Sequence, residues 1–113
     1  MEDRDSTAIF ERQAQICKAL SDPKRIMIIH ALRDGERTVS DLVDDLGLAQ
    51  ANLSQHLAVM RNQGLLTAQR RGNNVYYWLT SARIVEACDV VRQVLVEQLE
   101  QGRKLASGLA VTT

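Results

Sequence analysis

The sequence predicts a mainly α-helical fold with one small β-hairpin, in which four helices precede two strands and a last helix follows them. Apolar side chains recur at helical spacing in five segments, separated by Gly, Asp or Pro breaks. Two β-prone runs, Leu66–Arg70 and Val75–Leu79, are joined by Arg71-Gly72-Asn73-Asn74, and Gly and Asn tolerate the positive φ of hairpin turns. With 113 residues, the chain has room for a single domain.

The first two helices are expected on either side of a break at Asp22-Pro23. Four apolar side chains at helical spacing predict the first helix over residues 6–20: Ile9, Ile16, Cys17 and Leu20. Asp22 suits the N-cap of the second helix and Pro23 its first position, where the missing N–H costs nothing. The second helix should then run from Lys24 to about Arg33 and bury Ile26, Met27 and Ile29, with His30 as a further candidate for its buried face.

Capping signals bound the third helix, and an apolar stripe defines the fourth. Thr38 is expected to open the third helix with Asp41 as a capping-box-like partner, and Gly47 is a suitable C-terminal stop. Gly64 should end the fourth helix. The inward face of that helix is predicted from residues at i, i+4 and i+7: Leu53, Leu57 and Met60.

The last helix is predicted from about Ala82 to Glu100. Three valines widen its apolar stripe beyond what packing on one core requires: Val85, Val90 and Val96. This excess predicts a second partner, most simply another copy of the chain. Residues 1–7 and 102–113 are expected to be flexible tails of one domain spanning residues 1–113.

Bulk composition excludes several classes of protein. The net charge is zero, so overall charge predicts no general attraction to nucleic acid or membrane. The acidic N-terminus does not resemble a signal peptide, and no stretch approaches the roughly 18 apolar residues of a membrane span. We therefore expect a cytoplasmic protein with no membrane partner. Two cysteines are too few for a disulfide scaffold or a metal knuckle.

The acidic residues are unevenly distributed along the chain. None of the fourteen aspartates and glutamates lies between Leu46 and Val85, a window rich in Arg, Gln, Asn and Ser. A carboxylate repels a nearby phosphate whereas an arginine attracts it, so such a window is typical of a surface that contacts a polyanion. The alternative, a solvated helix face without a ligand, leaves the absence of acids unexplained.

Four helices, a hairpin and a closing helix make a winged helix-turn-helix with helical arms. Four stretches, in chain order, resemble the arsenic-repressor (ArsR/SmtB) family: KALSDPKR at 18–25, LSQHL at 53–57, GLL at 64–66 and RRGNNVYY at 70–77. The resemblance covers roughly residues 8–100. It implies a homodimeric bacterial or archaeal transcriptional repressor that dimerises through its first and last helices. Such a repressor binds a palindromic double-stranded DNA operator and leaves it when a small inducer binds.

The resemblance also implies which residues contact DNA. Its groove-facing positions lie on the fourth helix: Gln50, Ala51, Asn52, Ser54 and Gln55. Gln and Asn can bind adenine bidentately, and Ser can bind either a base or a phosphate. His56 is a candidate phosphate donor. Ala49 and Ala51 stand where many relatives carry serine, which removes a side-chain cap and leaves only a methyl contact at Ala51.

The predicted hairpin would supply the wing. Arg70 and Arg71 are expected to flank the duplex, along the phosphates or in the minor groove. The aromatic residues that follow are interpreted mainly as sheet packing: Tyr76, Tyr77 and Trp78. Arg61 is either a phosphate clamp or a plain surface charge.

The ligand sets of metal-sensing relatives are missing. The third helix has no cysteine pair, and the last helix lacks the Asp/His and His/His pairs of zinc sensors. Three acids on the third helix are interpreted as a solvated face rather than a hard-ion site: Asp41, Asp44 and Asp45. We expect no metal and no cofactor.

Cys17 and Cys88 are the remaining candidates for an input, and two interpretations stay open. The first interpretation is that both are small buried hydrophobes, and the second is a thiol switch closed by a disulfide, a sulfur bridge or arsenite. Lys18 and Arg92 would lower a thiol pKa, and Asp89 would oppose this. Relatives that respond to reactive sulfur also use an early and a late cysteine, but the position resembling their first cysteine is His30 here.

Other classes of function fit less well. The sequence has no phosphate-binding glycine loop, nucleophile elbow or metal-ligand spacing, so we expect no enzyme. The alternatives are a winged-helix regulator without thiol or metal sensing, and a protein–protein interaction module with structural cysteines. The inducer is not identified by the sequence.

Overall fold

The computed structural model describes the backbone of residues 3–112 and the side chains of residues 6–108. The predicted order of elements is confirmed, with one short strand added. In chain order the elements are α1 (Asp3–Ala19), α2 (Pro23–Ala31), β1 (Arg37–Thr38), α3 (Val39–Leu46), α4 (Gln50–Asn62), β2 (Leu66–Arg71), β3 (Asn74–Leu79) and α5 (Arg83–Thr112).

The core lies between α2, α3 and α4. The inward face predicted for α4 is confirmed, because Leu53, Leu57 and Met60 are fully buried. They pack with buried side chains of α2 and α3: Ile28, Ile29, Leu32 and Leu42. This packing fixes the rotation of α4 about its own axis, so the opposite face is presented outward.

The face predicted for α2 is partly wrong. Ile29 is buried as expected, and Ile28 is buried although it was not predicted to be. Ile26 and Met27 are 36% and 44% exposed, and His30 is exposed as well. The reason is that Ile28, Ile29 and Leu32 form the stripe that meets the core, and the pattern IMII permits more than one stripe. Ile26 instead lines a groove against α5.

Local capping chemistry appears where the sequence predicts it. The Asp22 side chain accepts a hydrogen bond from the Lys24 N–H at 2.8 Å. Thr38 and Asp41 form a complete capping box, and Gly47 ends α3 in the left-handed region at φ 66°. Ala49 occupies the N-cap of α4 without a side-chain hydrogen bond, as expected.

The wing is a three-stranded antiparallel sheet in the order β1-β3-β2. The hairpin is in register from Leu66 opposite Leu79 to Arg71 opposite Asn74, which leaves a two-residue turn. Gly72 has a φ of +63°, and no other residue type in the described chain has a positive φ. This is the pattern of a type II′ turn, in which only the first central residue requires glycine.

Two helix ends differ from the prediction. α1 begins at Asp3, and α5 continues to Thr112 rather than ending near Glu100. Gly102 and Gly108 do not stop α5, because their φ stays out of the positive region and an exposed helix tolerates glycine at about 1 kcal/mol each. The flexibility of the tails stays a prediction, and residues 1, 2 and 113 lie outside the described residues. In the described part of the chain, no helix has the length and apolarity needed to span a membrane.

Candidate nucleic-acid interface

The outer face of α4 carries the polar residues predicted to contact DNA. Gln50, Ala51, Ser54 and Gln55 are all exposed, whereas Leu53, Leu57 and Met60 are buried. Residues four apart are neighbours on a helix surface, so Gln50 lies next to Ser54 and Ala51 next to Gln55, with Gln50 at the edge of the buried stripe. Three of the predicted base-contacting side chains are therefore presented together to solvent.

Asn52 and His56 occupy a neighbouring side of α4. They are four residues apart and both half-buried. The His56 Nδ1 accepts a hydrogen bond from Arg25 Nε at 3.1 Å, and Arg25 Nη1 donates to the Ala19 carbonyl at 3.2 Å. Arg25 therefore joins α2 to both α1 and α4, a role that the sequence analysis missed.

Arg70 and Arg71 lie at the tip of β2, and both are exposed. Each nitrogen of the Arg71 guanidinium donates a hydrogen bond. Nη1 donates to Glu36 Oε1 at 2.7 Å, and Nε and Nη2 donate to Gln69 Oε1 at 3.1 and 3.0 Å. The guanidinium also stacks on Tyr76, with 4.7 Å between Cζ and the ring centroid. The Arg70 side chain forms no hydrogen bond or ion pair within the described part of the chain. The two arginines thus present different groups to a ligand.

Glu36 brings a carboxylate to the wing that the acid-free window did not predict. It precedes β1, which pairs with β3 through Arg37 opposite Tyr77 and Thr38 opposite Tyr76. The hydrogen bond from Arg71 lowers the pKa of Glu36, and the same bond raises the pKa of Arg71. The wing is therefore less positive than its sequence indicates.

Two of the three acids on α3 have structural partners. Asp41 belongs to the capping box, whose hydrogen bonds from Thr38 lower the pKa of Asp41. Asp45 forms an ion pair with Arg37 of β1. Within the residues whose side chains are described, no three His, Cys, Asp or Glu side chains come together as a metal site.

Cys17 and Cys88 line the same groove between α1 and α5, which has a volume of about 430 Å³. Both thiols are free, with Cys17 exposed and Cys88 half-buried in the single chain. Burial raises the pKa of Cys88, Asp89 raises it further, and Arg92 only partly opposes them. Arg92 lowers the pKa of Cys88 and Asp89 opposes it, as expected, but burial is the largest cause and leaves the pKa raised.

A family model described as "Bacterial regulatory protein, arsR family" matches residues 22–68, from the cap of α2 into β2. An uncharacterized HTH-type transcriptional regulator of Mycobacterium tuberculosis, Rv0081, is 36% identical over 96 residues, which cover 84% of each chain. The chain belongs to the arsR family of bacterial regulatory proteins.

Solved structures show the same fold for this arsR-family chain. The crystal structure of Rv0081 superposes with a TM-score of 0.74 at 36% identity and covers 82% of this chain and 94% of that one. The solution structure of Mb0332 from Mycobacterium bovis has a TM-score of 0.77 at 29% identity, with 89% and 93% covered. Its description is a homodimeric winged helix-turn-helix DNA-binding domain. The winged helix-turn-helix predicted from the sequence is confirmed.

A further relative has a named regulatory role. The biofilm growth-associated repressor of Xylella fastidiosa is 32% identical over 88 residues, 78% of this chain and 77% of that one. The family consists of transcriptional regulators, which agrees with the prediction that the chain is no enzyme.

Proposed function

We propose that this arsR-family protein is a homodimeric transcriptional repressor that binds a palindromic operator and is released by an inducer. The observation that carries the proposal is the outer face of α4, where Gln50, Ser54 and Gln55 are exposed together. The buried stripe formed by Leu53, Leu57 and Met60 fixes the rotation of α4 and so the orientation of these side chains. α4 contains no carboxylate, so nothing on the helix itself repels a phosphate.

The proposed contacts to DNA differ in the chemical groups that make them. The amides of Gln50 and Gln55 can donate to and accept from one adenine edge, and the Ser54 hydroxyl suits a base or a phosphate. Asn52 and His56, on the half-buried side of α4, are suited to the groove wall and the phosphates. Arg70 has an unengaged guanidinium and supplies the wing contact, whereas Arg71 is held by Glu36 and Gln69.

The dimer is inferred from apolar side chains that the single chain leaves exposed. They lie on both arms: Ile9 and Phe10 on α1, and Val91, Val94, Leu95 and Leu99 on α5. Monomeric proteins rarely expose a continuous apolar surface of this kind. The homodimeric state in the description of Mb0332 supports the same arrangement here.

Fluorescence anisotropy tests the DNA-binding proposal. The protein is titrated into a duplex from the region upstream of its own gene and into a scrambled duplex of equal length. Gln50→Ala, Ser54→Ala and Gln55→Ala should each reduce the preference for the first duplex by about 5- to 100-fold, whereas Arg70→Ala should weaken both duplexes alike and lower the salt slope by about 1. Gln93→Ala, an exposed glutamine on α5, is the matched control.

Two outcomes would contradict the proposal. Equal affinity of the wild-type protein for operator and scrambled duplex would remove the case for a repressor. Full activity of the three α4 variants in a reporter assay would instead favour a protein–protein interaction module.

Cys17 and Cys88 are proposed as the input, because they line one groove between the two arms. An oxidant such as peroxide would take two electrons from the thiols, forming one S–S bond and releasing two protons as peroxide is reduced to water. Arsenite would instead bind the thiolates and release water. Either event would change how α1 and α5 pack, and with them the spacing of the two α4 helices.

Serine variants test this input. Cys17→Ser and Cys88→Ser should remain on the operator when peroxide, persulfide or arsenite releases the wild-type protein. Because burial raises the pKa of Cys88, its thiolate is scarce at neutral pH, so alkylation of Cys88 should accelerate as pH rises above neutrality. Release that is unchanged in both serine variants would exclude a thiol switch.

A further inference from the structure

We propose that Arg25 is a positioning residue for DNA recognition, which holds His56 as a neutral imidazole with its proton on Nε2. This inference rests on the proposed repressor function and assigns a role to a residue outside α4 and the wing.

The hydrogen bond between the two side chains determines the tautomer. Arg25 Nε always carries a proton, and it lies 3.1 Å from His56 Nδ1. An acceptor needs a lone pair, so Nδ1 must be unprotonated. A neutral ring then carries its proton on Nε2.

Arg25 is itself fixed by a second contact. Its Nη1 donates to the carbonyl oxygen of Ala19, the last residue of α1, at 3.2 Å. The nearby Asp22 carboxylate accepts from the Lys24 N–H at 2.8 Å as the cap of α2. No ion pair of Arg25 occurs within the described part of the chain. The half-buried guanidinium therefore links the end of α1, the start of α2 and the middle of α4.

The tautomer decides what His56 can offer to DNA. Nε2 lies on the side of the imidazole ring away from Nδ1, and so away from Arg25. A proton on Nε2 makes this edge a donor, which suits a phosphate oxygen, whereas the opposite tautomer would direct a lone pair at the same oxygen. Arg25 thus makes His56 a hydrogen-bond donor next to the exposed face that contains Gln55.

A direct phosphate contact by Arg25 predicts a different pattern of mutant effects. If Arg25 acts through His56, removing either residue removes the same contact, so the losses do not multiply. If Arg25 binds DNA independently, the two losses multiply. A double-mutant cycle separates these cases.

The test measures operator affinity and the His56 tautomer in the full-length protein. Arg25→Gln and His56→Ala should each weaken operator binding about tenfold, the loss of roughly one hydrogen bond to a charged group, and the double variant should lose no more than either. Long-range ¹H–¹⁵N spectra should show His56 protonated on Nε2 in the wild type and in Lys24→Gln, and a mixed population in Arg25→Gln. Lys24→Gln is the matched control because it removes a positive charge one residue away.

Either of two results would overturn the inference: a loss near a hundredfold in the double variant, or an unchanged His56 tautomer in Arg25→Gln. If Arg25→Gln does not fold, Arg25→Lys, which keeps the charge but not the planar fork, takes its place in the cycle under the same criteria. If the wild-type protein shows no operator preference, the proposed function fails, while the spectra still decide whether Arg25 fixes the ring.

Discussion

Neighbouring arginines on the wing differ in how much of their charge is available to a ligand. The Arg71 guanidinium lies between Glu36, Gln69 and the ring of Tyr76, and four donor or stacking contacts hold it. Arg70, which directly precedes Arg71 on the same strand, is exposed. An ion pair at the wing tip lowers the local positive potential, so we expect Glu36 to weaken the proposed binding to DNA.

Glu36→Gln should therefore raise affinity for DNA. The substitution removes a carboxylate that repels phosphate, and it frees Arg71 from its ion pair. We expect binding to DNA at low salt to strengthen about two- to fivefold. The gain is small because an exposed ion pair is weak and competes little with a phosphate for Arg71. The Glu36 carboxylate has a lowered pKa and is fully ionised near neutral pH, where the measurement is made. Anisotropy titrations at several salt concentrations would measure the change.

Glu97→Gln on α5 removes the same charge at an exposed site and is the matched control. The difference between the two variants should shrink as salt rises, because screening weakens exposed charges. Unchanged or weaker binding by Glu36→Gln at low salt would show that Glu36 supports the wing rather than competing with DNA.

At the scale of the element, α3 and α4 depend on short-range signals for their ends and on the core for their orientation. The Thr38 hydroxyl accepts from the Asp41 N–H at 3.1 Å, and Asp41 Oδ2 accepts from the Thr38 N–H at 3.2 Å. Thr38 is also paired with Tyr76 in the sheet. One residue therefore starts the helix that precedes α4 and ties it to the wing.

Thr38→Ala should lower the free energy of unfolding by about 1 kcal/mol, the usual cost of losing an N-cap side chain. Because the capping hydrogen bonds lower the pKa of Asp41 in the folded state, its carboxylate contributes stability at neutral pH that is lost as pH falls through that lowered pKa. Asp41→Asn should remove this acid-range loss. Urea unfolding followed by circular dichroism at neutral and acidic pH would measure both effects.

Ser40→Ala, an exposed substitution in the same first turn, is the control for the capping box. A Thr38→Ala variant as stable as Ser40→Ala would show that the box contributes nothing. An Asp41→Asn variant that still loses as much stability in acid as the wild type would show that other carboxylates are responsible.

Features that depend on neighbouring residues were predictable from the sequence, and those that depend on tertiary packing were not. The Asp22 cap, the Gly47 stop and the two-residue turn at Gly72 follow from local backbone chemistry. β1 has only two residues and shows no periodicity, so nothing in the sequence indicated that it joins the sheet. The end of α5 was predicted too early because the apolar periodicity is lost after about residue 101, whereas the helix continues to Thr112.

In the candidate site, too, the local features were predictable from the sequence and the contacts that depend on tertiary packing were not. The exposed face of α4 was predictable, because the spacing of Leu53, Leu57 and Met60 determines which residues lie opposite them. The contacts from Glu36 to Arg71 and from Arg25 to His56 span 35 and 31 residues of sequence. Only the packing of β1 beside the wing and of α2 beside α4 brings these groups together.

At the scale of the whole molecule, the proposed input and the proposed output lie on different elements. The groove that contains Cys17 and Cys88 lies between α1 and α5, whereas the face that contains Gln50, Ser54 and Gln55 lies on α4. α2 packs against both α4 and α5. Arg33, just after the end of α2, forms a two-oxygen ion pair with Asp89, next to Cys88, at 2.8 and 2.9 Å. A change in packing at the groove would therefore be transmitted to α4 through α2.

A twofold dimer built on α1 and α5 would carry two copies of α4 related by symmetry. Such a dimer contacts two half-sites about one helical turn, ~34 Å, apart. The symmetry of the protein should then appear as an inverted repeat in the DNA it selects.

Selection of bound duplexes from a random pool by the wild-type protein, followed by sequencing, tests the central claim most directly. We predict enrichment of an inverted repeat whose half-site centres are about 10 base pairs apart, and loss of that enrichment in Gln55→Ala but not in Gln93→Ala. A pool that remains random after selection, or an enriched sequence without twofold symmetry, would contradict the proposal of a homodimeric operator-binding repressor.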